Sequence, residues 1–171
     1  MKDVELRLIS ELMKNSRRSD RELAKIIGVS QPTVSRMLKR LVGEGYIREF
    51  TIVPDFNKLG FQIMTIVLTK MKKDIGPDIL QEVRGKVLED EKRNPSPILL
   101  AKTGIGANSD RVVILLAEDY STYSKYISML RQYPSIEVQE INSFIIDLKD
   151  ETIFMPLSFS NLAAYLEKKT I

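Results

Sequence analysis

Residues 1–45 contain three runs in which apolar side chains recur three or four positions apart. This spacing predicts three amphipathic helices. The first covers residues 4–13, with Asp3 as its N-cap. Ser19 and Glu22 match the S-x-x-E capping box that opens a second helix, and Gly28 is expected to end it in a left-handed conformation.

The third helix follows a tight Gly-Val turn, with Ser30 as its N-cap and Pro32 in its first turn. Its pattern buries Val34, Leu38 and Leu41 and turns outward Thr33, Arg36, Lys39 and Arg40. A short helix, a tight turn and a second helix with an exposed polar face form the geometry that places one helix in the major groove of DNA. The sequence therefore predicts a helix-turn-helix segment.

Beyond Gly43 and Gly45 the pattern changes from helical to alternating. Residues 46–53 alternate and are rich in β-forming side chains, which predicts a strand or the hairpin of a wing. Residues 54–60 are rich in turn-forming side chains and read as a linker. We therefore expect two domains, residues 1–60 and residues 61–171.

The second half of the chain alternates between strand and helix patterns. Strands are predicted at residues 61–71, 98–103, 111–117 and 136–148, and helices at residues 78–90, 121–132 and 161–169. The order β-α-β-β-α-β is that of a ferredoxin-like sandwich. The predicted fold class is α+β, with an N-terminal winged helix-turn-helix domain and a C-terminal ferredoxin-like βαββαβ domain that carries an extra C-terminal helix.

The chain contains no cysteine and no histidine. Disulfides, Cys/His nucleophilic pairs and thiolate or imidazole metal ligands are therefore excluded. No group of acidic residues has a spacing that argues for a carboxylate metal site. We expect no catalytic residue, no metal and no cofactor, and hence a protein that is not an enzyme.

Positive charge is concentrated in the predicted helix-turn-helix. Residues 1–60 carry 12 Lys/Arg against 8 Asp/Glu, whereas residues 61–171 carry 14 against 15. This distribution favours double-stranded DNA as a partner. The longest strongly apolar run, residues 112–117, is too short to span a membrane, and the N-terminus lacks a signal-peptide core. We expect a cytoplasmic protein with no membrane partner.

The candidate DNA-contacting residues lie on the third helix and around it. Those expected to reach base edges or phosphates are Ser30, Gln31, Thr33, Ser35, Arg36, Lys39 and Arg40. Those expected to anchor phosphates are Lys14, Arg17, Arg18 and Arg48. Arg36 is placed for a bidentate contact with guanine, and Gln31 suits adenine. The alternative is the exposed polar face of an ordinary helix.

Several short motifs carry a family resemblance. They are Arg21-Glu22-Leu23-Ala24, Gly28-Val29-Ser30, Thr33-Val34, Arg36, Lys39-Arg40-Leu41 and Glu44-Gly45-Tyr46-Ile47, followed by Pro54 and Lys58-Leu59-Gly60. In these motifs, and in element order from about residue 3 to residue 148, the chain resembles the Lrp/AsnC (feast/famine) family of transcription regulators. Where that family commonly has a second adjacent basic residue, this chain has Met37, whose spacing assigns it to the core.

The resemblance implies a second domain that assembles subunits and binds a small effector such as an amino acid. The loop in question contains Gly104, Gly106, Asn108 and Asp110. Its glycines could let backbone N–H groups close on a carboxylate, with Asp110 accepting from an ammonium group. The alternative is a plain hairpin loop. The family usually has a Gly-Asp pair here, and in this chain Asp110 is displaced from Gly104.

The predicted strands at residues 61–71 and 136–148 carry apolar side chains on both faces. Since helices cover only one face of such a sheet, a second subunit is expected to cover the other. The family resemblance implies the same dimer. A homodimer also gives a helix-turn-helix two half-sites about one helical turn apart.

Three functions follow from these observations. The first is a sequence-specific DNA-binding transcription regulator that acts as a dimer or larger assembly, modulated by a small molecule. The second is an architectural protein that binds DNA with little sequence preference. The third is a haem-precursor decarboxylase, because some proteins that resemble this family have that activity. Such chemistry favours histidine, which this chain lacks.

Overall fold

The computed structural model describes residues 2–71, 77–132, 138–152 and 155–168. In chain order the elements are α1 (Asp3–Lys14), α2 (Asp20–Ile27), α3 (Gln31–Gly43), β1 (Ile63–Met71), α4 (Pro77–Arg93), β2 (Ile98–Gly106), β3 (Ser109–Ala117), α5 (Tyr120–Gln132), β4 (Val138–Asp147) and α6 (Ser160–Lys168). They form two compact units. One comprises Met1–Pro54 and Phe154–Ile171, and the other comprises Asp55–Ile153.

Local capping signals set the ends of the first helices. The Ser19 Oγ accepts from the Glu22 N–H at 3.3 Å, and the Glu22 carboxylate accepts from the Ser19 N–H at 2.7 Å. Gly28 ends α2 with a φ of +79°. These predictions are confirmed. The cap of α1 is Lys2 rather than the predicted Asp3, because the Glu5 carboxylate closes the box on the Lys2 N–H at 3.0 Å.

The three helices share one core, built by the apolar face of each. Its buried members are Leu8, Leu23, Ala24, Ile27, Val34, Met37 and Leu41. Met37 is 9% exposed, so its predicted place in the core is confirmed. Leu38 packs at the margin of this cluster and is only partly buried.

The segment at residues 46–53 contains no strand, which corrects the prediction of a strand or wing hairpin. Ile47 packs against the helical core, but Phe50, Ile52 and Val53 are exposed. A strand needs a neighbour to bond its N–H and C=O groups. No element of the described chain supplies that neighbour, and the Thr51 carbonyl accepts a hydrogen bond from Ser16 Oγ at 3.2 Å.

The last helix belongs to the first unit, whereas the sequence placed residues 61–171 together in one domain. In α6, Ala163 is fully buried, and the helix packs against α1. The Glu167 carboxylate accepts from Lys14 Nζ at 2.5 Å. The contact between α6 and α1 is the reason that α6 belongs to the helical unit. The predicted last residue, Lys169, lies outside the described residues.

The second unit holds an antiparallel sheet of four strands in the order β2-β3-β1-β4. With its two helices it has the predicted βαββαβ order. Side chains of β1 alternate between faces: Thr65 and Val67 are buried, whereas Met64 and Ile66 are partly exposed. Residues 136 and 137, where the last strand was predicted to begin, lie outside the described residues.

Candidate nucleic-acid interface

The buried residues of α3 determine which face of this helix points outward. Val34, Met37 and Leu41 point into the helical core. At 3.6 residues per turn, Arg36 and Lys39 then lie on the opposite side of the helix, and both are exposed. Neither side chain makes a hydrogen bond or ion pair with any other residue that the structure describes. Two cationic side chains are therefore available to a ligand on this face.

The first turn of α3 places further polar groups at the N-terminal end of the helix. The hydroxyls of Ser30 and Thr33 lie 2.8 Å apart and share a hydrogen bond. Ser30 is the N-cap residue, as predicted, although its side chain makes no cap hydrogen bond to the backbone. Gln31 is exposed. These short polar groups lie at the helix end that reaches base edges in helix-turn-helix proteins.

Two other predicted contact residues already have partners within the protein. Ser35 donates its hydroxyl to the Asp20 carboxylate at the start of α2 and also lies 3.3 Å from the Gln31 carbonyl. Arg40 pairs with the Glu5 carboxylate of α1 and lies 3.7 Å from that of Glu44. The side chain of Glu5 is only 5% exposed. A carboxylate so buried needs a cation beside it, and Arg40 provides that cation.

The predicted phosphate anchors divide into two groups. Arg18 and Lys14 both pair with Glu11, and Lys14 also reaches Glu167. Arg17 and Arg48 are exposed, and their guanidinium groups make no hydrogen bond or ion pair in the described part of the chain. Internal pairing offsets the charges of Lys14 and Arg18, so the free positive charge around α3 comes from the other cations.

The pKa of Glu11 reflects this pairing. Burial of the carboxyl raises its pKa, but the hydrogen bond from Lys14 and the charges of Arg18 and Lys14 outweigh burial and hold the pKa below its usual value of 4.5. The hydrogen bonds from Lys14 to Glu11 and Glu167 in turn raise the pKa of the Lys14 ammonium. Glu11 and Lys14 are therefore charged together at neutral pH.

Sequence reasoning missed the acidic residues that form ion pairs with these cations. Glu5 lies three residues before Leu8 and seven before Leu12, which places an acid on the apolar face of α1. A carboxylate at such a position signals a buried charge that requires a partner. The signal was available in the sequence, but the identity of the partner, Arg40, depends on how α1 packs against α3.

The candidate effector loop is a tight hairpin in the structure. Gly104 lies within β2, Gly106 pairs with Ser109, and the turn consists of Ala107 and Asn108. These two turn residues have φ values of +49° and +52°, the arrangement of a two-residue turn with both central residues left-handed. The backbone thus adopts the hairpin that was the alternative interpretation of this loop.

Polar side chains gather where this hairpin meets the neighbouring strands. The Asn108 side chain accepts from Lys70 Nζ at 2.6 Å and donates to the Glu140 carboxylate at 3.1 Å. Asp110 accepts from the Met71 N–H at 3.0 Å and lies 2.5 Å from the Arg111 guanidinium. We call Lys70, Asn108, Asp110 and Glu140 the sheet-end cluster. Asp110 is already engaged by two donors within the protein.

Two further features concern metal binding and membrane insertion. In the part of the chain that the structure describes, no group of three or more acidic side chains could hold a metal ion. The helices described there are all too short or too polar to cross a bilayer.

Comparison with known proteins places the chain in a family. The winged helix-turn-helix DNA-binding family matches residues 1–48. The uncharacterized HTH-type transcriptional regulator PH0061 of Pyrococcus horikoshii is 30% identical over 139 residues, which cover 79% of this chain and 88% of that protein. PF2053 of Pyrococcus furiosus, another such regulator, is 30% identical over 149 residues, which cover 86% and 94%. The chain belongs to the HTH-type transcriptional regulators.

Solved structures share the fold of most of this chain. The crystal structure of PH0061 matches with a TM-score of 0.71 and 26% identity, covering 92% of this chain and 97% of that one. An AsnC family regulator from Agrobacterium tumefaciens (TM-score 0.71) and the NMB0573/L-Met complex from Neisseria meningitidis (TM-score 0.70) are each 17% identical, covering 95% of this chain and 99% of theirs. At that identity the likeness shows the fold. The predicted resemblance to the Lrp/AsnC family is therefore confirmed in its fold.

Proposed function

We propose that this regulator reads double-stranded DNA with a recognition face on α3 made of Gln31, Thr33, Arg36 and Lys39. The observation that carries the proposal is the exposure of Arg36 and Lys39 opposite the buried Val34, Met37 and Leu41. A guanidinium can bind guanine through two parallel hydrogen bonds, so Arg36 supplies base recognition. Lys39, a point charge nearer the end of α3, supplies a phosphate contact.

Arg17 and Arg48 complete the proposed interface as phosphate anchors, because they are exposed cations of the same unit. Arg40, Ser35, Arg18 and Lys14 have acidic partners inside the protein. We assign these four residues to the scaffold that supports the recognition face. The proposed function involves no catalytic step, and the protein is expected to act in the cytoplasm.

The proposal includes a homodimer formed through the sheet. Ile66 lies opposite Ile114 of β3 and Phe144 of β4 in the register, so the three side chains share one face. Phe144 is 68% exposed on that face. A second copy that covered this apolar surface would bring two recognition faces to one duplex, as two half-sites require.

The proposal also includes a small effector of the amino-acid class at the sheet-end cluster. Lys70 and Glu140 lie opposite each other in the register, and Asn108 bonds to both. An ammonium, an amide and a carboxylate are the groups that pair with a zwitterion. In support, NMB0573, which shares the fold, was solved with L-Met. Calorimetry with each common L-amino acid tests this part. Heat that Glu140→Gln abolishes is expected, and no heat from any of them would contradict it.

The recognition face is tested by selecting duplexes from a random-sequence pool with the full-length protein at a stated salt concentration. We expect enrichment of one motif, as two half-sites whose centres are about 10 base pairs or a multiple of that apart. A pool that binds but stays random would contradict sequence-specific recognition and indicate an architectural DNA-binding protein. The salt concentration must be fixed because phosphate contacts make all affinities salt-dependent.

A further inference from the structure

Two carboxylates from the scaffold hold α3 from both sides of its recognition face. Glu5 of α1 binds Arg40, and Asp20 of α2 binds Ser35. Both bonds join residues far apart in the sequence, by 35 and 15 positions. Neither acid belongs to α3, so each bond ties the recognition helix to a different supporting helix.

The placement of these bonds around α3 follows from helix geometry. Successive residues turn by about 100° around the axis of an α-helix. With the buried residues of α3 as reference, the outward direction falls between Arg36 and Lys39. Ser35 then projects about 50° to one side of that direction and Arg40 about 90° to the other side. The two bonds thus lie on opposite sides of Arg36 and Lys39.

We propose that Glu5 and Asp20 are positioning residues that fix the rotation of α3 about its own axis and so determine which base edges Arg36 meets. The proposal rests on the recognition face described above. A roll of about 20° moves a side-chain tip 6 Å from the axis by about 2 Å, more than a hydrogen bond tolerates. Bonds on both flanks resist a roll in either direction.

Because Glu5 is buried, its carboxylate requires the ion pair with Arg40. One Glu5 oxygen accepts from the Lys2 N–H at 3.0 Å, and the other faces Arg40. The Arg40 side chain remains 44% exposed and continues to Glu44. Because a buried carboxylate without its cation is unfavourable, α3 is held at the rotation that keeps the two in contact.

The test compares Glu5→Gln and Asp20→Asn with the wild-type protein. Each variant is measured for its affinity for a duplex selected by the wild type and for a random-sequence duplex of equal length. Asp3→Asn is the matched control, because it removes one negative charge from the same first turn of α1 without touching α3. Circular dichroism and the thermal midpoint report folding separately, and Asp20→Asn stands alone if Glu5→Gln does not fold.

We expect the ratio of the two affinities to fall about tenfold in each folded positioning variant, a loss the size of a mismatched base pair. The Asp3→Asn control should keep the wild-type ratio. A wild-type ratio in both folded positioning variants would overturn the proposal while leaving the recognition face intact. If the wild type binds the selected and the random duplex equally well, the proposed recognition face is contradicted, and the positioning role is contradicted with it.

Discussion

Lys14 of α1 donates to the Glu167 carboxylate of α6 at 2.5 Å, across 153 positions of sequence. The same ammonium lies 2.8 Å from Glu11. Together with the buried Ala163, these contacts make α6 a fourth helix of the DNA-binding unit. The end of the chain therefore contributes to the unit that carries the recognition helix.

Enlarging the buried alanine of α6 should destabilise the unit. Ala163→Leu adds volume at a fully buried position, and we expect it to lower the free energy of unfolding by about 1–3 kcal/mol. Ala164→Leu places the same side chain on the exposed side of α6 and should change that free energy by less than about 0.5 kcal/mol. Hydrogen exchange of the α1 amides measures the effect of each substitution. Equal protection in the two variants would contradict the packing of α6 on α1.

The pairing of Glu11 predicts a loss of stability in acid. Its pKa is lowered in the folded state, so the stability that its ion pairs contribute is present above the ordinary value of 4.5 and lost as pH falls through the folded-state pKa. Glu11→Gln should therefore flatten the dependence of the unfolding free energy on pH below about pH 5. Denaturant titrations across that range measure it.

The control for that experiment is Glu49→Gln, which changes an exposed acid that has no hydrogen bond or ion pair with the residues described. It should leave the pH dependence as in the wild type. Parallel curves for the wild type and Glu11→Gln would mean that the Lys14 and Arg18 contacts do not contribute to folding.

Lys39 should act on DNA without regard to sequence. We expect Lys39→Ala to weaken binding to selected and random duplexes by the same factor and to reduce the slope of log affinity against log salt concentration by about one. Arg21→Ala removes an exposed cation from α2 of the same unit and serves as the control. A loss confined to the selected duplex would show that Lys39 reads bases instead.

The apolar sheet face should govern assembly. Phe144→Asp places a charge in the proposed dimer contact, and we expect the dimer dissociation constant to rise at least about tenfold. Met129→Asp makes the same kind of change on the exposed side of α5 and should not affect assembly. Sedimentation equilibrium distinguishes the two. An unchanged dimer in Phe144→Asp would place the subunit contact elsewhere.

The sequence predicted best what is specified locally. Ser19, Glu22 and Gly28 define the ends of α2 through contacts within a few residues, so their pattern was sufficient. Alternation and element order likewise predicted the βαββαβ unit. Met37 could be assigned to the core because its spacing from Val34 and Leu41 is a property of one helix.

The missed features all depend on contacts between distant residues. The pairing of Arg40 with Glu5 depends on how α1 packs against α3, and the place of α6 depends on its packing against α1. Neither contact can be read from the pattern of one segment. The predicted strand at residues 46–53 had suitable side chains but no neighbouring strand in the described chain. Pattern alone does not reveal which partner a charge, a helix or a strand will find.

The central claim is that Arg36 reads DNA sequence from the exposed face of α3. The most direct measurement is the ratio of affinities for a selected and a random duplex, in the wild type and in Arg36→Ala, at one salt concentration. We predict that the variant folds normally, loses about 1–3 kcal/mol of affinity for the selected duplex and keeps most of its affinity for the random one. An unchanged ratio in folded Arg36→Ala would contradict the account.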